Sequence, residues 1–309
     1  MEIDHEVIVV GGGAAGLSAG IALARSRRSV LVIDAGEPRN APAEGVHNFL
    51  SRDGIAPRDL VEAGRSELRG YGGEIREGRA TSATPLDDGF VVTLDTCDRV
   101  TARRLVVTTG VVDELPDIIG LREHWGRHVM HCPYCHGWEV RDQVIGVVGT
   151  SAASVHQALL FSQLTDEITL VTHGFEPDEE ARGLLAGAGV TVLDGPVASV
   201  EADGDVLTGL RLESGELLPV QAVVASTRAV PRSTVLDSLG LVAVPHPSGF
   251  GEQIEVDPMG QSEVPGVYLA GNVTDIGAQV MGAAAAGTRA GAAVNIDLVM
   301  TDARTAVNA

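Results

Sequence analysis

Apolar residues in this chain fall into short blocks separated by glycine-rich turns and by longer Ala/Leu-rich stretches. The first block, Val7 to Val10, has no polar interruption, which predicts a strand buried on both faces. A stretch with helical composition follows to about Arg27. Then comes a second apolar block, Val30 to Ile33, that ends in Asp34. The same alternation returns in the middle of the chain. There "QVIGVVGTSAASVHQALLFSQL" predicts strand, turn and helix, and "EITLVTH" and "GVTVLDG" predict two more strands. Towards the C-terminal end "EVPGVYLAGNVTD" predicts a strand over Val267 to Ala270. Strands alternating with helices predict an α/β fold with parallel sheets. The order predicts two Rossmann-like (three-layer ββα) dinucleotide-binding domains, one inserted in the other. The first spans 1–112 and 245–309, and the inserted one 113–244. "GVVDELPDI" and "AVPHPSGFG" have the Pro/Gly content of crossings between domains.

Composition narrows the function classes. A length of 309 residues leaves room for two cores. The net charge of −20 repels phosphate backbones, so nucleic acid is not an expected partner. No apolar run reaches the ~18 residues of a membrane span. "EIDHEVIVVGGG" enters a strand with no basic-then-apolar leader, and a cytoplasmic location is expected. A static structural disulfide is improbable there. Cys97 stands alone in a polar segment and is read as structural or incidental.

The first turn carries the clearest chemistry. Gly11, Gly13 and Gly16 form G-x-G-x-x-G between the first strand and helix, bordered by Ala14 and Ala15. Gly11 permits the tight turn, Gly13 lets the backbone reach a pyrophosphate, and Gly16 lets helix pack on strand. The helix N-terminus faces the phosphate charge. Asp34, near the usual ~20-residue spacing and followed by Ala35, suits the ribose hydroxyls. The Gly271-Asn272 strand end looks like the second FAD signature of flavoproteins with two dinucleotide domains, with Asn272 where those proteins carry Asp. "VVTTG", ending in Gly110, resembles the strand end that such folds place beside FAD.

"HCPYCHGWEV", residues 131 to 140, holds two of the three cysteines. Cys132-x-x-Cys135-His136 also occurs at c-type haem attachment sites, which lie outside the cytosol. A zinc site usually takes two separated ligand pairs, and no second Cys pair exists, so no metal is expected. A pair of incidental thiols and a redox-active disulfide are the other readings, and the last is preferred on family position.

That family is the low-molecular-weight thioredoxin reductases, which the chain resembles over essentially its full length. The resemblance rests on "GGGAAG", "VHNFL", the Cys-x-x-Cys opening the inserted domain, "GVYLAGN" and "AQVMGAAAAG". It implies FAD as cofactor, Asn48, Gln279 and Val280 near the flavin ring, and a symmetric homodimer. It also implies Cys132 as the outer, exchanging thiol and Cys135 as the inner thiol that passes electrons to flavin. The loop Cys132-Pro-Tyr-Cys135-His136 departs from that family's usual Cys-Ala-x-Cys-Asp. It is similar to FAD-dependent dithiol oxidases that close disulfides in natural products. His136 stands where thioredoxin reductases carry an acid/base Asp, and His131 is a second candidate for that role. Tyr134 and Trp138 are expected either to line a substrate pocket or to pack against the FAD domain.

Three functions follow as expectations. A dithiol oxidase takes a small or peptidic dithiol and O2. A thioredoxin reductase runs electrons the other way, to a protein disulfide. A redox-sensing flavoprotein serves a protein partner. The second glycine fingerprint favours the first. It reads Gly149-Thr150-Ser151-Ala152-Ala153-Ser154, and "THGFEPDEE" follows the next strand with carboxylates instead of an arginine cluster, so NADPH is expected to be a poor donor.

Overall fold

The computed structural model describes residues 3–232 and 234–308. The first unit begins β1 (His5–Val10), α1 (Ala14–Arg25), β2 (Val30–Asp34), α2 (Pro57–Gly70) and β3 (Glu74–Glu77). It continues β4 (Ala80–Leu86), β5 (Gly89–Leu94) and β6 (Arg99–Val107). β1 pairs in parallel with β2 and β6, and β2 with β3. β4, β5 and β6 form an antiparallel meander. Side chains alternate across the sheet. Val7, Val9, Val30 and Val32 face one core; Ile8, Val10, Leu31 and Ile33 face the other. The strands are apolar at nearly every position because both faces are covered.

β7 (Val111–Glu114) leads into the insertion. There follow β8 (Val129–Met130), α3 (Pro133–His136), β9 (Ile145–Val148), α4 (Ala152–Phe161), β10 (Ile168–Thr172), α5 (Glu179–Gly187) and β11 (Thr191–Asp194). A meander of β12 (Val197–Asp203), β13 (Val206–Leu212) and β14 (Leu217–Leu218) precedes β15 (Ala222–Ala225). The central sheet is parallel, in the order β11-β10-β9-β15-β8. α4 and α5 bury one face through Val155, Phe161 and Leu185. The meander buries the other through Val197, Leu207 and Leu210. The expected α/β architecture of one dinucleotide-type unit inside another is therefore present.

β16 (Arg228–Pro231) returns the chain, lying antiparallel beside β7. α6 (Thr234–Ser238) comes next, and its Val235 and Leu236, with Leu239 and Leu241, pack into the first unit's core. β17 (Val244–Pro245) and β18 (Glu252–Gln253) then pair across "AVPHPSGFG". The return crossing is expected near 245. We place it at β16, because burial of 235–241 in the first core ties that segment to the first unit. β19 (Val267–Leu269) joins β6 in parallel, and α7 (Val280–Asn308) closes the fold.

α7 crosses α1 at backbone contact. A Cβ on Gly287 would lie 1.9 Å from the Ala15 carbonyl oxygen, and one on Gly291 2.7 Å from that of Ala19. Arg104 Nε donates to Asp297, and Arg28 Nε to Asn295 Oδ1 at 2.8 Å, further along the same helix. These contacts bring the start of α7 to the turn that opens α1.

Candidate functional site

A cavity of about 940 Å³ runs between the two units. Gly11, Gly13, Ala14, Ala15, Asp34 and Ala35 line one part of it. Gly110, Gly271, Asn272, Gln279 and Val280 line the middle, and His131, Cys132, Cys135 and His136 line the part beside the inserted unit. The structure thus brings almost every expected site residue to one cavity. Two stand apart. Gly16 lies behind the wall, where a Cβ would meet the Gly11 carbonyl oxygen at 1.8 Å, so its role is helix-on-strand packing. Asn48 is exposed and outside the lining; its Nδ2 donates to the Tyr134 carbonyl at 2.7 Å. It ties the "VHNFL" loop to the disulfide loop, where proximity to a flavin ring was expected.

The first turn fits a dinucleotide. Gly11 has φ +106°, and a Cβ there would lie 2.5 Å from the Thr108 carbonyl oxygen. A Cβ on Gly13 would meet nothing within 4 Å, so at this point the backbone faces open cavity. Gly13 also caps α1 without a side-chain bond, leaving first-turn N–H groups for an anion. Asp34 Oδ1 accepts from the Gly12 N–H at 3.0 Å, and Oδ2 from Arg65 at 2.6 Å, which orients the carboxylate. Thr109 Oγ1 and Arg232 Nε are buried on this wall without a protein partner. Asn272 spends Nδ2 on the carbonyls of Asp275 and Ala278, at 3.0 and 2.9 Å, and so fixes the turn ahead of Gln279 and α7. That use of an amide N–H2 is closed to the Asp of the related signature.

Cys132 and Cys135 form a disulfide with Cα atoms 5.3 Å apart. The Cys135 and His136 N–H groups donate back to the Cys132 carbonyl at 3.3 and 3.2 Å, and Pro133 stiffens the start of the turn. Burial pushes the His136 imidazole below its ordinary pKa; Glu139 opposes the shift and His47 adds to it. Its Nε2 is buried with no partner. His47 in turn contacts Glu139 at 3.3 Å and Asp53 at 3.5 Å. The His131 ring stacks on Trp125 with centroids 5.5 Å apart, and both residues line the cavity. Burial first, then the Arg39 charge, pushes its pKa down to about 4, against the pull of Asp113. Arg39 holds Asp113 in a two-bond pair, both 2.7 Å, and donates to the Ile276 carbonyl at 3.2 Å. Burial alone would raise the Asp113 pKa, but Arg39 holds the carboxyl below its ordinary range. Tyr134 and Trp138 are 60% and 65% exposed. Tyr134 borders the cavity, and Trp138 carries the Arg141 guanidinium 4.2 Å from its ring centroid.

The second fingerprint has a different environment. A Cβ on Gly149 would lie 2.7 Å from the Val171 carbonyl oxygen, so strand packing alone explains that glycine. Ser151 is exposed and Ser154 is fully buried. His173 Nδ1 accepts from the Val197 N–H at 2.9 Å. An arginine absent from the sequence reading, Arg182, reaches this strand end, but Glu176 at 2.9 Å and Asp194 at 3.3 Å already hold it.

Among the described residues no group of three or more His, Cys, Asp or Glu could hold a metal ion. Among the same residues no helix is long and apolar enough to cross a membrane. The family profile described as pyridine nucleotide-disulphide oxidoreductase matches residues 5–291. Thioredoxin reductase sirT of Leptosphaeria maculans is 30% identical over 96% of this chain and 95% of its own. The crystal structure of HlmI superposes with a TM-score of 0.91 at 42% identity, covering 98% of this chain and 95% of that one. An oxidoreductase from Agrobacterium tumefaciens superposes at 0.90 and 35% identity, covering 96% and 99%.

Proposed function

From a chain that belongs to the pyridine nucleotide-disulphide oxidoreductase family, we propose a FAD-dependent dithiol oxidase that closes a disulfide in a small or peptidic substrate. One observation carries the reading. The Cys132–Cys135 disulfide lines the same cavity as the Gly13 turn, while Ser151 puts a side chain at the matching point of the second turn.

Gly11 to Ala15, Asp34, Gly110, Asn272, Gln279 and Val280 are the residues to hold the cofactor. FAD held there would supply a two-electron acceptor for the cysteine pair, with O2 as final oxidant and hydrogen peroxide as product. The chain's own residues do the rest. A substrate thiolate attacks the Cys132 sulfur, the Cys132–Cys135 bond breaks, and a mixed disulfide forms. His136 Nε2, uncharged at neutral pH and without a protein partner, takes the thiol proton. The second substrate thiol attacks the mixed disulfide, so one S–S bond forms in the substrate and the Cys132 thiol is released. The protein then carries the two electrons and two protons the substrate lost. His131, uncharged down to about pH 4, suits packing beside the disulfide better than proton transfer. A cytoplasmic homodimer is the setting the family resemblance supports.

The relatives named thioredoxin reductase support a second reading, with electrons flowing from a nicotinamide to a protein such as thioredoxin. Oxygen uptake separates the two. With FAD and a small dithiol, the protein is expected to consume O2 and produce peroxide in equal amounts, and Cys132→Ser or Cys135→Ser to abolish both. No uptake with any dithiol, together with NADPH-driven reduction of thioredoxin, would establish the second reading.

A further inference from the structure

The inserted unit has a line of partly buried hydrogen bonds that runs from its glycine-type turn to the disulfide loop. The Thr150 N–H donates to Ser154 Oγ at 3.2 Å, and the Ser154 and Ser226 hydroxyls lie 3.4 Å apart. Ser226 Oγ donates to Gln157 Oε1 at 2.5 Å, and Gln157 Nε2 donates to the His131 carbonyl at 2.8 Å. Chemistry fixes the direction. A carbonyl only accepts, so Gln157 must turn Nε2 to His131 and Oε1 to Ser226. Ser226 spends its single proton on Gln157, so Ser154 donates to Ser226 and accepts from Thr150. Each bond polarises the next in the same sense. Ser154 is 0% and Gln157 6% exposed, and Gln157 borders the cavity that the disulfide also lines.

The line starts in the turn of the second βαβ unit and ends one peptide short of a reactive sulfur. The His131 carbonyl belongs to the same amide as the Cys132 nitrogen. Holding that amide sets where the Cys132 side chain begins. Cys135 and His136 already bond back to the Cys132 carbonyl, so the loop is held on both sides of Cys132.

We propose that Gln157 is a positioning residue for the Cys132–Cys135 pair. Through the His131 carbonyl it keeps the loop in its disulfide-ready shape when the cysteines are reduced. A loop that relaxes little on reduction gains little entropy, so the two thiols stay close and the disulfide is favoured. A reluctance to stay reduced suits a pair that must hand its electrons on. The proposal rests on the redox role given to this pair above.

The test is a thiol titration of the full-length, flavin-containing protein. Wild type, Gln157→Leu and Ser226→Ala are equilibrated anaerobically with graded ratios of reduced and oxidised dithiothreitol. Alkylation and mass spectrometry then count free thiols at Cys132 and Cys135. Gln157→Leu is expected to make the pair easier to reduce by about tenfold in equilibrium constant, or about 30 mV. Ser226→Ala keeps the bond to His131 but frees the other end of the amide, and a shift of about threefold in the same direction is expected. Thermal melting is followed alongside. A lower melting temperature with an unshifted titration would make the line structural only and overturn the proposal, as would a shift towards harder reduction. Should Gln157→Leu fail to fold, an unshifted Ser226→Ala overturns it alone. A wild-type pair that does not titrate at all would sink the redox reading of the loop and this proposal with it. A wild type that titrates beside unshifted variants sinks this proposal only.

Discussion

The turns at Gly11–Gly16 and Gly149–Ser154 sit on the same strand–turn–helix scaffold, yet they differ where a phosphate would approach. In the first turn, helix and strand approach so closely that a Cβ on Gly16 would overlap the Gly11 carbonyl oxygen. In the second, the equivalent position is Ser154, whose hydroxyl fits inside and bonds to the Thr150 N–H. Gly13 looks onto open cavity; Ser151 carries a side chain at the matching point. Asp34 at the end of β2 is oriented by Arg65, whereas Arg182 at the end of β10 is occupied by Glu176 and Asp194. The scaffold alone therefore says nothing about cofactor use. What distinguishes the turns is whether atoms are missing where a phosphate must come close.

Breaking the first turn has the largest expected effect. Gly13→Val puts a branched side chain into the space left for a pyrophosphate, and flavin retention is expected to fall by about 100-fold or more. Flavin absorbance after gel filtration measures it. Next comes His136→Ala, expected to slow dithiol oxidation by about 100-fold at neutral pH. The wild-type rate is expected to fall as pH drops below the ordinary histidine value, where His136 gains its proton, and the variant's profile is expected to lose that limb. A kinetic pH series with an unchanged limb would move the base elsewhere. His131 acts on stability, not on rate. The unfolded chain binds a proton at this ring near pH 6.5, but the folded chain only near pH 4. The folded state therefore loses about 3 kcal/mol as pH falls through that window. Urea unfolding of His131→Leu at several pH values is expected to lack that part of the slope. The smallest effect belongs to the second turn. Ser151→Val is expected to change flavin content and dithiol oxidation less than about twofold, because Ser151 is exposed and is not among the residues lining the cavity.

Local constraints were legible in the sequence. Gly11, Gly13, Asp34 and the Gly271-Asn272 strand end are fixed by turn geometry and strand period, both written within a few residues of one another. The return crossing was not, since α6 is assigned to the first unit by what Val235 and Leu236 pack against, not by their neighbours in sequence. Asn48 was placed by resemblance alone, and its amide turned out to serve the Tyr134 carbonyl. The pairs Arg65–Asp34, Arg39–Asp113 and His47–Glu139 join distant segments, and every member but Asp34 reads as an ordinary surface charge in isolation. Gln157 left a trace that could have been followed. It lies three residues after Ser154 on the apolar side of α4, and a polar residue on a buried helix face needs a partner.

The direction of electron flow is tested most directly by anaerobic stopped flow on the flavin-loaded protein. Bound flavin is mixed in turn with excess small dithiol, NADPH and NADH, and its visible absorbance is followed. Dithiol is expected to bleach the flavin at least about 100-fold faster than either nicotinamide, because the second turn lacks a phosphate cradle and a free arginine. Rapid bleaching by micromolar NADPH, with none by the dithiol, would contradict the oxidase and make the protein a reductase.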